Sequence, residues 1–244
     1  MNPILFTAAK GAERVMLAQE VRANNLAQAN TVGFKALMEH SSPMAVEGSG
    51  FQSSVTTRTN SASNNFASGA EIRTDRALDV QISGNGFFAV QGNQGEAEEL
   101  YTRAGNFRLD ADGNLMLGER QVMGEGGVIN VPEFESINIA KDGVLSITPP
   151  GGGAEMQIET LKLVNPGNQQ MTLDSTGLFV SKQGDVLAFD PNVEVRSGYL
   201  ESSNVSSLEE LISVMSLTRQ YEMQVKVMAS ASEIDQMSNR LLKS

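Results

Sequence analysis

Two short stretches of the sequence have residue types and spacings that could bind a cofactor or a metal ion. The glycines of segment 84–89 match the letters of the dinucleotide-binding fingerprint, in which glycines bring the backbone close to a pyrophosphate. That fingerprint requires a helix directly afterwards, but segment 87–90 (Phe-Phe-Ala-Val) is typical of a strand. The stretch therefore predicts the turn of a β-hairpin and no nucleotide site.

The second stretch resembles the start of a calcium-binding loop. Asp110, Asp112 and Asn114 alternate as the first oxygen ligands of such a loop do. In those loops a glycine follows the third ligand, and a glutamate closes the loop at the twelfth position. Here Gly113 precedes Asn114, and Gln121 stands at the twelfth position. The stretch therefore predicts a β-turn.

The rest of the composition excludes most other chemistry. The sequence has no cysteine and one histidine, His40, which excludes disulfides, thiol nucleophiles and zinc sites built on cysteine or several histidines. No residue stands in a recognisable nucleophile–base or paired-carboxylate motif. We therefore predict no catalytic, cofactor-binding or metal-binding residue, no cofactor, and a protein that is not an enzyme.

The charge of the chain excludes two classes of partner. The net charge of −11 argues against nucleic acid and against anionic lipid surfaces, because both attract basic proteins. No apolar run approaches the roughly 18 residues that a membrane-spanning helix needs. The short apolar start of the chain has no basic residue before it, so we expect no cleaved signal peptide.

The first zone of the sequence, residues 1–35, is predicted to contain a helix over positions 4–31. Small apolar residues recur every three or four positions from Ala8 to Val21, which places them on one face. Gly33 stands where a C-terminal glycine is expected. Asparagines near the end of this helix, Asn25 among them, leave two interpretations open. They mark either fraying toward the cap or a polar group that fixes the register of a helix–helix contact.

The next two zones, residues 36–76 and 77–202, differ in composition. Much of the first is rich in Gly, Ser, Thr and Asn, and it predicts an extended linker that is ordered only if something packs on it. In the second, short runs alternate apolar and polar residues, and turn dipeptides such as Asp142-Gly143 separate the runs. This pattern predicts an antiparallel β domain.

The last zone, residues 203–244, predicts a second and longer helix. Ser206 or Ser207 can cap it, and Glu209 and Glu210 suit its first turn. Apolar residues then recur at steps of three or four over about ten turns. The predicted N-terminal helix is the one element of similar length in the chain on which this second helix could pack.

These zones predict an α+β fold, in which the N- and C-terminal helices pair as a coiled-coil-like segment and flank a central, mostly antiparallel β domain. Apolar stripes at both ends of a chain are typical of a subunit that completes its fold in an assembly. We therefore predict an assembly interface, although each of its residues can alternatively belong to the core of a helical hairpin. The predicted interface residues are Val15, Leu26, Phe34, Leu211, Val214, Leu217, Tyr221, Val225 and Met228.

Three parts of the sequence resemble one known family, in the same order along the chain. Segment 24–35 (Asn-Asn-Leu-Ala-Gln-Ala-Asn-Thr-Val-Gly-Phe-Lys) resembles the N-terminal signature of bacterial flagellar axial proteins, which form the rod and hook. Segment 76–107 is similar to the central motif of that family, and segment 198–226 to its C-terminal signature. Gln28 and Ser206 differ from the residues usual in the family, which affects local contacts and not the resemblance.

The resemblance implies a structural subunit of the flagellar basal-body rod. Short sequence motifs in segments 124–132, 161–164 and 221–226 resemble those of a proximal-rod protein, and a distal-rod or hook-family paralogue is the alternative. In this family the terminal helices pair and stack with those of neighbours into an axial tube, and the β domain lies outside it. Such a rod transmits torque for motility.

The resemblance also implies partners and a location. The partners are other rod proteins, both proximal and distal, and the flagellar type III export apparatus. The location is the periplasmic part of the flagellar basal body, reached without a cleaved signal peptide. A cell-wall enzyme and a sugar-binding module stay as less favoured alternatives.

Overall fold

The overall architecture is mixed, with helices at the ends of the chain and strands between them. The computed structural model describes residues 3–45, 55–93, 95–167, 170–174 and 176–241. Two long helices flank a central region of antiparallel strands, and the two helices pack on each other. The predicted α+β fold is therefore confirmed.

The chain divides into two compact units, which we describe separately. The helical unit comprises residues 1–29, 36–65 and 205–244. The β unit comprises residues 30–35 and 66–204. The sequence-based division into four consecutive zones stays a prediction about domain boundaries.

The helical unit is built on α1 (Pro3–Ala27) and α2 (Ser207–Leu241). Ser206 is the N-cap of α2, because its carbonyl accepts the first helical hydrogen bond, from the Glu210 nitrogen. The Ser206 hydroxyl oxygen also lies 3.5 Å from the Glu209 nitrogen. The acidic side chains of the first turn stabilise the positive end of the helix dipole.

Helix α1 ends four residues before the position that its sequence pattern predicts. The chain turns over residues 28–33, and Gly33 has a φ of 69°. Within the β unit, a Cβ on Gly33 would lie 2.4 Å from backbone atoms of Arg103 and Ala104. Glycine is required at this position both for its left-handed conformation and for the close approach.

A pair of antiparallel strands completes the helical unit. These are β1 (Leu37–Ala45) and β2 (Val55–Asn64), with Leu37 opposite Asn64. They lie in the segment that we expected to be extended. Its composition lacks a clear alternation of apolar residues, so the sequence did not predict that its strands pair.

The β unit contains short antiparallel strands in its described residues. They are β3 (Glu71–Arg73), β4 (Val80–Ser83), β5 (Phe87–Gln91), β6 (Glu99–Thr102), β7 (Arg108–Leu109), β8 (Leu115–Leu117), β9 (Arg120–Gln121), β10 (Met123–Gly124), β11 (Gly127–Val128), β12 (Ser136–Ile139), β13 (Val144–Thr148), β14 (Met156–Thr160), β15 (Leu163–Val164), β16 (Met171–Leu173), β17 (Phe179–Ser181), β18 (Glu194–Ser197) and β19 (Tyr199–Glu201). One sheet has five strands in the order β15-β5-β6-β17-β16, and two have the orders β12-β13-β14 and β7-β8-β9. Strand β3 pairs with β19, and β4 pairs with β18. The first strands of this unit are thus held by its last ones.

Two buried apolar clusters form the core of the β unit. Successive residues of β5 and β6 alternate between them: Phe88 and Leu100 belong to the larger cluster, Phe87 and Tyr101 to the smaller. The ring of Phe88 packs edge-to-face on Phe107, with centroids 5.1 Å apart. These central strands are buried on both faces, which explains why β5 is an unbroken apolar run from its first residue.

The two predicted turns have different outcomes. The Asp110 carboxylate accepts hydrogen bonds from the backbone nitrogens of Asp112 (2.9 Å) and Asn114 (2.8 Å), and this turn joins β7 to β8, as predicted. The prediction of a hairpin at Gly84 and Gly86 was wrong. Strand β4 pairs with β18, while β5 pairs with β6 and β15. The glycines, with φ of 81° and 143°, link two different sheets, which local sequence cannot distinguish from a hairpin turn.

Candidate assembly interface

Helices α1 and α2 pack on each other through small side chains. Ala8, Ala12 and Val15 share one side of α1 and are buried. Gly11 lies so close to α2 that a Cβ there would be 3.1 Å from the Gln224 side chain. We call the side of α2 around Gln224 the pairing face, an arc of about 100° at the helical repeat. Its residues are Glu210, Val214, Leu217, Tyr221, Gln224, Met228 and Ala231.

A buried amide fixes the register of this helix pair. The Asn25 side chain is fully buried; it donates to the Leu37 carbonyl (3.0 Å) and to the Glu210 carboxylate (3.3 Å). The Leu37 nitrogen in turn donates to the Asn25 side-chain oxygen at 2.8 Å. Arg22 on α1 also contacts Glu210, at 3.1 Å. One asparagine therefore joins α1, α2 and the start of β1, which favours the register interpretation over fraying.

An open groove runs between the two helices. Its volume is about 750 Å³. On the α1 side it is lined by Ala12, Met16 and Leu17 among others, and on the α2 side by Tyr221 and Met228. Most of its lining is apolar, as is usual for a surface that takes up apolar groups.

The side of α2 roughly opposite the pairing face is also apolar, and we call it the outer face. Its large apolar side chains lie within an arc of about 120° and recur along most of the helix. They are Leu208, Ile212, Met215, Met223, Val227, Ile234 and Met237, all of them exposed. An apolar stripe of this length on a helix that is already paired is typical of a contact surface.

The structure places the nine predicted interface residues in different surroundings. Val15, on α1, is buried. Leu211 and Val225, on the flank of the pairing face of α2, are exposed. The remaining six are half-buried: Leu26, Phe34, Val214, Leu217, Tyr221 and Met228. Tyr221 and Met228 come together in the groove, whereas Phe34 belongs to the β unit. Their role in assembly stays a prediction.

None of the seven outer-face residues is among the nine predicted interface residues. Three of them, Leu208, Ile234 and Met237, follow the apolar pattern of the sequence. Ile212, Met215, Met223 and Val227 lie outside the single stripe that the pattern of threes and fours follows. The available signal was the number of apolar residues in α2, which is larger than one face of a helix can hold. A helix that is apolar on two opposite faces has two different surfaces to cover.

A second polar cluster, in the β unit, connects the three sequence signatures. Lys35 from the first donates to the Glu201 carboxylate of the third at 2.7 Å and to the Ala67 carbonyl at 2.8 Å. Arg103 from the central motif lies 3.6 Å from the same carboxylate, and the Gly69 nitrogen donates to it at 2.9 Å. All three charged side chains are at most 2% exposed. One charged residue from each of the three signatures thus belongs to the same buried network.

The electrostatics of this cluster are unbalanced, because two cations share one carboxylate. Burial lowers the pKa of Lys35, and the hydrogen bond and charge of Glu201 oppose this shift. Burial likewise lowers the pKa of Arg103, against the attraction of Glu201. Removing Glu201 would leave two buried cations without a counter-charge, so the cluster holds the chain together.

Other polar groups of the β unit are paired in the same structural manner. Lys162 donates to the Glu99 carboxylate at 2.6 and 2.8 Å, and Tyr101 donates to it at 3.1 Å. Burial raises the pKa of Tyr101. Among the residues that the structure describes, no group of three or more acidic, histidine or cysteine side chains could hold a metal ion. No helix in this same part of the chain is long and apolar enough to cross a membrane.

Comparison with known proteins identifies the family. Two family models match: "Flagellar hook protein FlgE/F/G D1 domain" on residues 81–147 and "Flagellar basal body rod FlgEFG protein C-terminal" on residues 196–241. The flagellar basal-body rod protein FlgF of Salmonella typhimurium (strain LT2) is 34% identical over 250 residues, which cover 99% of each chain. FlgF of Escherichia coli (strain K12) is 33% identical with the same coverage.

FlgG proteins are also similar to this chain. The flagellar basal-body rod protein FlgG of Buchnera aphidicola subsp. Acyrthosiphon pisum is 32% identical over 266 residues, which cover 99% of each chain. The prediction from the three sequence signatures is thus confirmed at the level of the family. The chain belongs to the flagellar basal-body rod protein family.

Proposed function

We propose that this chain is a structural subunit of the flagellar basal-body rod, without enzymatic activity, whose terminal helices carry the contacts between subunits. The observation that supports this most directly is the outer face of α2, with its seven exposed large apolar side chains. The C-terminal family model matched at residues 196–241 includes this whole face. To the nine predicted interface residues we add the seven of the outer face.

The distribution of charge supports the same assignment of roles. The helical unit carries nine acidic and eight basic residues, so two copies can approach without strong repulsion. The β unit carries twenty acidic and ten basic residues, and copies of it repel each other. Contacts between subunits through the helices are therefore favoured over contacts through the β units.

Within the rod we place the chain in the proximal part, as a relative of FlgF. The alignment with Salmonella FlgF has 250 positions for a chain of 244 residues, whereas the alignment with Buchnera FlgG needs 266. Its partners are other proximal and distal rod subunits, and the assembled rod transmits torque. Export through the flagellar type III apparatus, without a cleaved signal peptide, suits a chain that has no cysteine to form disulfides.

Two substitutions test the assembly role in a flagellated strain that lacks its own copy of the gene. Ile212→Asp puts a charge on the outer face, and Leu217→Asp puts one on the pairing face. We expect both to abolish swimming and to remove the chain from purified basal bodies, because an unpaired charge in an apolar contact is costly. Ile212→Asp should leave the thermal midpoint of the free chain unchanged, since that side chain is exposed.

The matched control is Met156→Asp, which changes an exposed apolar side chain of the β unit. This variant should enter rods and swim normally. Normal swimming and normal incorporation of the Ile212→Asp variant would contradict the proposed function of the outer face.

A further inference from the structure

Five methionines are exposed in the described part of the helical unit: Met38 lies on β1, and the other four lie on the two helices, where the proposed contacts between subunits form. Met215, Met223 and Met237 belong to the outer face and are 52%, 58% and 62% exposed. Met16 is 56% exposed and lines the groove between α1 and α2. Thioethers of this accessibility are open to attack by oxidants in solution.

We propose that these four methionines are oxidation sites through which peroxide blocks incorporation of the free chain into an assembly. Hydrogen peroxide transfers one oxygen atom to the thioether sulfur. The O–O bond breaks, an S–O bond forms and water leaves, so the sulfur loses two electrons and the peroxide gains them. The chain has no cysteine whose thiol would react first.

The block follows from where the new polar group lies. Sulfoxide formation converts a flexible apolar side chain into a polar hydrogen-bond acceptor. On the free chain this oxygen faces water, so the fold of the chain is not affected. In an assembled rod the same oxygen would be covered by apolar side chains of a neighbour, and an acceptor without a donor is unfavourable there. This part of the inference rests on the proposed function.

Two other methionines separate accessibility from position. Met156, on β14 of the β unit, is 54% exposed and thus as accessible as the four sites. Met171 is 4% exposed in the smaller apolar cluster of the same unit. Oxidation of Met156 should leave assembly unaffected, and Met171 should resist oxidation while the chain is folded.

The first experiment treats the purified full-length chain with hydrogen peroxide and maps sulfoxides by peptide mass spectrometry over time. We expect the four helical methionines and Met156 to oxidise about tenfold faster than Met171, with unchanged circular dichroism. Oxidation of the four sites as slow as that of Met171 would overturn the inference.

The second experiment asks whether an oxidised chain enters the rod. Cells that are growing new flagella receive a short pulse of peroxide, catalase ends the pulse, and basal bodies are then separated from unassembled chain. Sulfoxide at the four helical sites should be about fivefold lower in basal bodies than in the unassembled pool. The sulfoxide fraction at Met156 should be equal in both.

The outcomes of this experiment distinguish the two proposals. Equal sulfoxide fractions at the four sites in both pools would overturn the inference and leave the proposed function standing. Absence of the chain from basal bodies, even without peroxide, would overturn the proposed function and the inference with it.

Variants without these methionines test directly whether their oxidation causes the loss of incorporation. Leucine has nearly the volume of methionine and no sulfur, so Met16→Leu, Met215→Leu, Met223→Leu and Met237→Leu are combined in one chain. After the pulse this combined variant should enter rods to the same extent as it does without peroxide. The wild type and the Met156→Leu control should both lose incorporation. Equal loss in the combined variant would overturn the inference.

Discussion

In the β unit the large apolar side chains lie in two buried clusters, whereas the helical unit keeps many of them on its surface. Of the seventeen large apolar side chains that are exposed in the described residues, thirteen belong to the helical unit. The charges are distributed in the opposite sense, with an excess of ten acidic residues in the β unit and of one in the helical unit. The helical unit therefore exposes much more apolar surface than the β unit, and the β unit carries most of the excess negative charge.

The two units also differ in how polar groups are used inside them. In the β unit, Lys35, Arg103 and Glu201 form a buried ionic network that ties distant parts of the chain together. In the helical unit, Asn25 makes hydrogen bonds that define how α1, α2 and β1 align. We infer that the ionic network is essential for the stability of the β unit. The hydrogen bonds of Asn25 set the register of α1, α2 and β1, and they contribute less to the free energy of unfolding.

The largest expected effect is in the ionic network of the β unit. Glu201→Gln leaves Lys35 and Arg103 buried without a counter-charge, and we expect it to lower the free energy of unfolding by about 3–5 kcal/mol. Chemical denaturation of the full-length chain measures this change. The control is Glu71→Gln, which breaks an exposed pair with Arg196 and should cost less than about 1 kcal/mol. Equal effects of the two substitutions would contradict the role of the network.

A smaller effect is expected in the helical unit. Asn25→Ala removes the hydrogen bonds to Leu37 and Glu210 and leaves their buried groups without this partner, which should destabilise the unit by about 1–3 kcal/mol. Because the Leu37 amide loses its acceptor in this variant, its hydrogen exchange should become faster, and this rate measures the loss directly. Asn24→Ala, at an exposed neighbouring position, should change neither quantity. A register role for Asn25 is excluded if both variants behave alike.

The smallest expected effect depends on pH and again concerns the β unit. Hydrogen bonds from Arg120 and from the Asn93 nitrogen lower the pKa of Glu96 from 4.5 to about 2. The stabilisation by this carboxylate is therefore complete above pH 4.5 and is lost as the pH falls toward 2. In Glu96→Gln this contribution is absent. The difference in unfolding free energy between wild type and variant should shrink over that range, and a constant difference would contradict the assignment.

The sequence predicted the fold class because its two helical patterns are long and its β region alternates over many short runs. It did not predict that β1 and β2 pair, because the polar composition of that segment carries no apolar alternation. The sequence also predicted a hairpin at Gly84 and Gly86. That prediction was wrong because the partner of β4 is β18, far along the chain. Pairing between distant strands is not encoded in any local pattern.

The candidate interface was predicted only in part. A search for one stripe on α2 finds the side that packs near α1 and three residues of the outer face. The other four, Ile212, Met215, Met223 and Val227, are overlooked because they fill the gaps between the residues of that stripe. The buried cluster was missed for another reason. Charged residues such as Lys35 are usually solvated, and its partner Glu201 is 166 positions away. Which neighbour covers each face depends on other chains, so no pattern within this chain specifies it.

The most direct test of the difference between the two units is hydrogen exchange, measured by mass spectrometry on the free full-length chain and on purified rods. In the free chain we expect amides of α1 and α2 to exchange much faster than those of β5 and β6, because helices with an uncovered apolar face open more readily than a closed core. In rods the helices should become protected, with little change in β5 and β6. Helices that are already as protected as β5 and β6 in the free chain, with no gain in rods, would contradict the account.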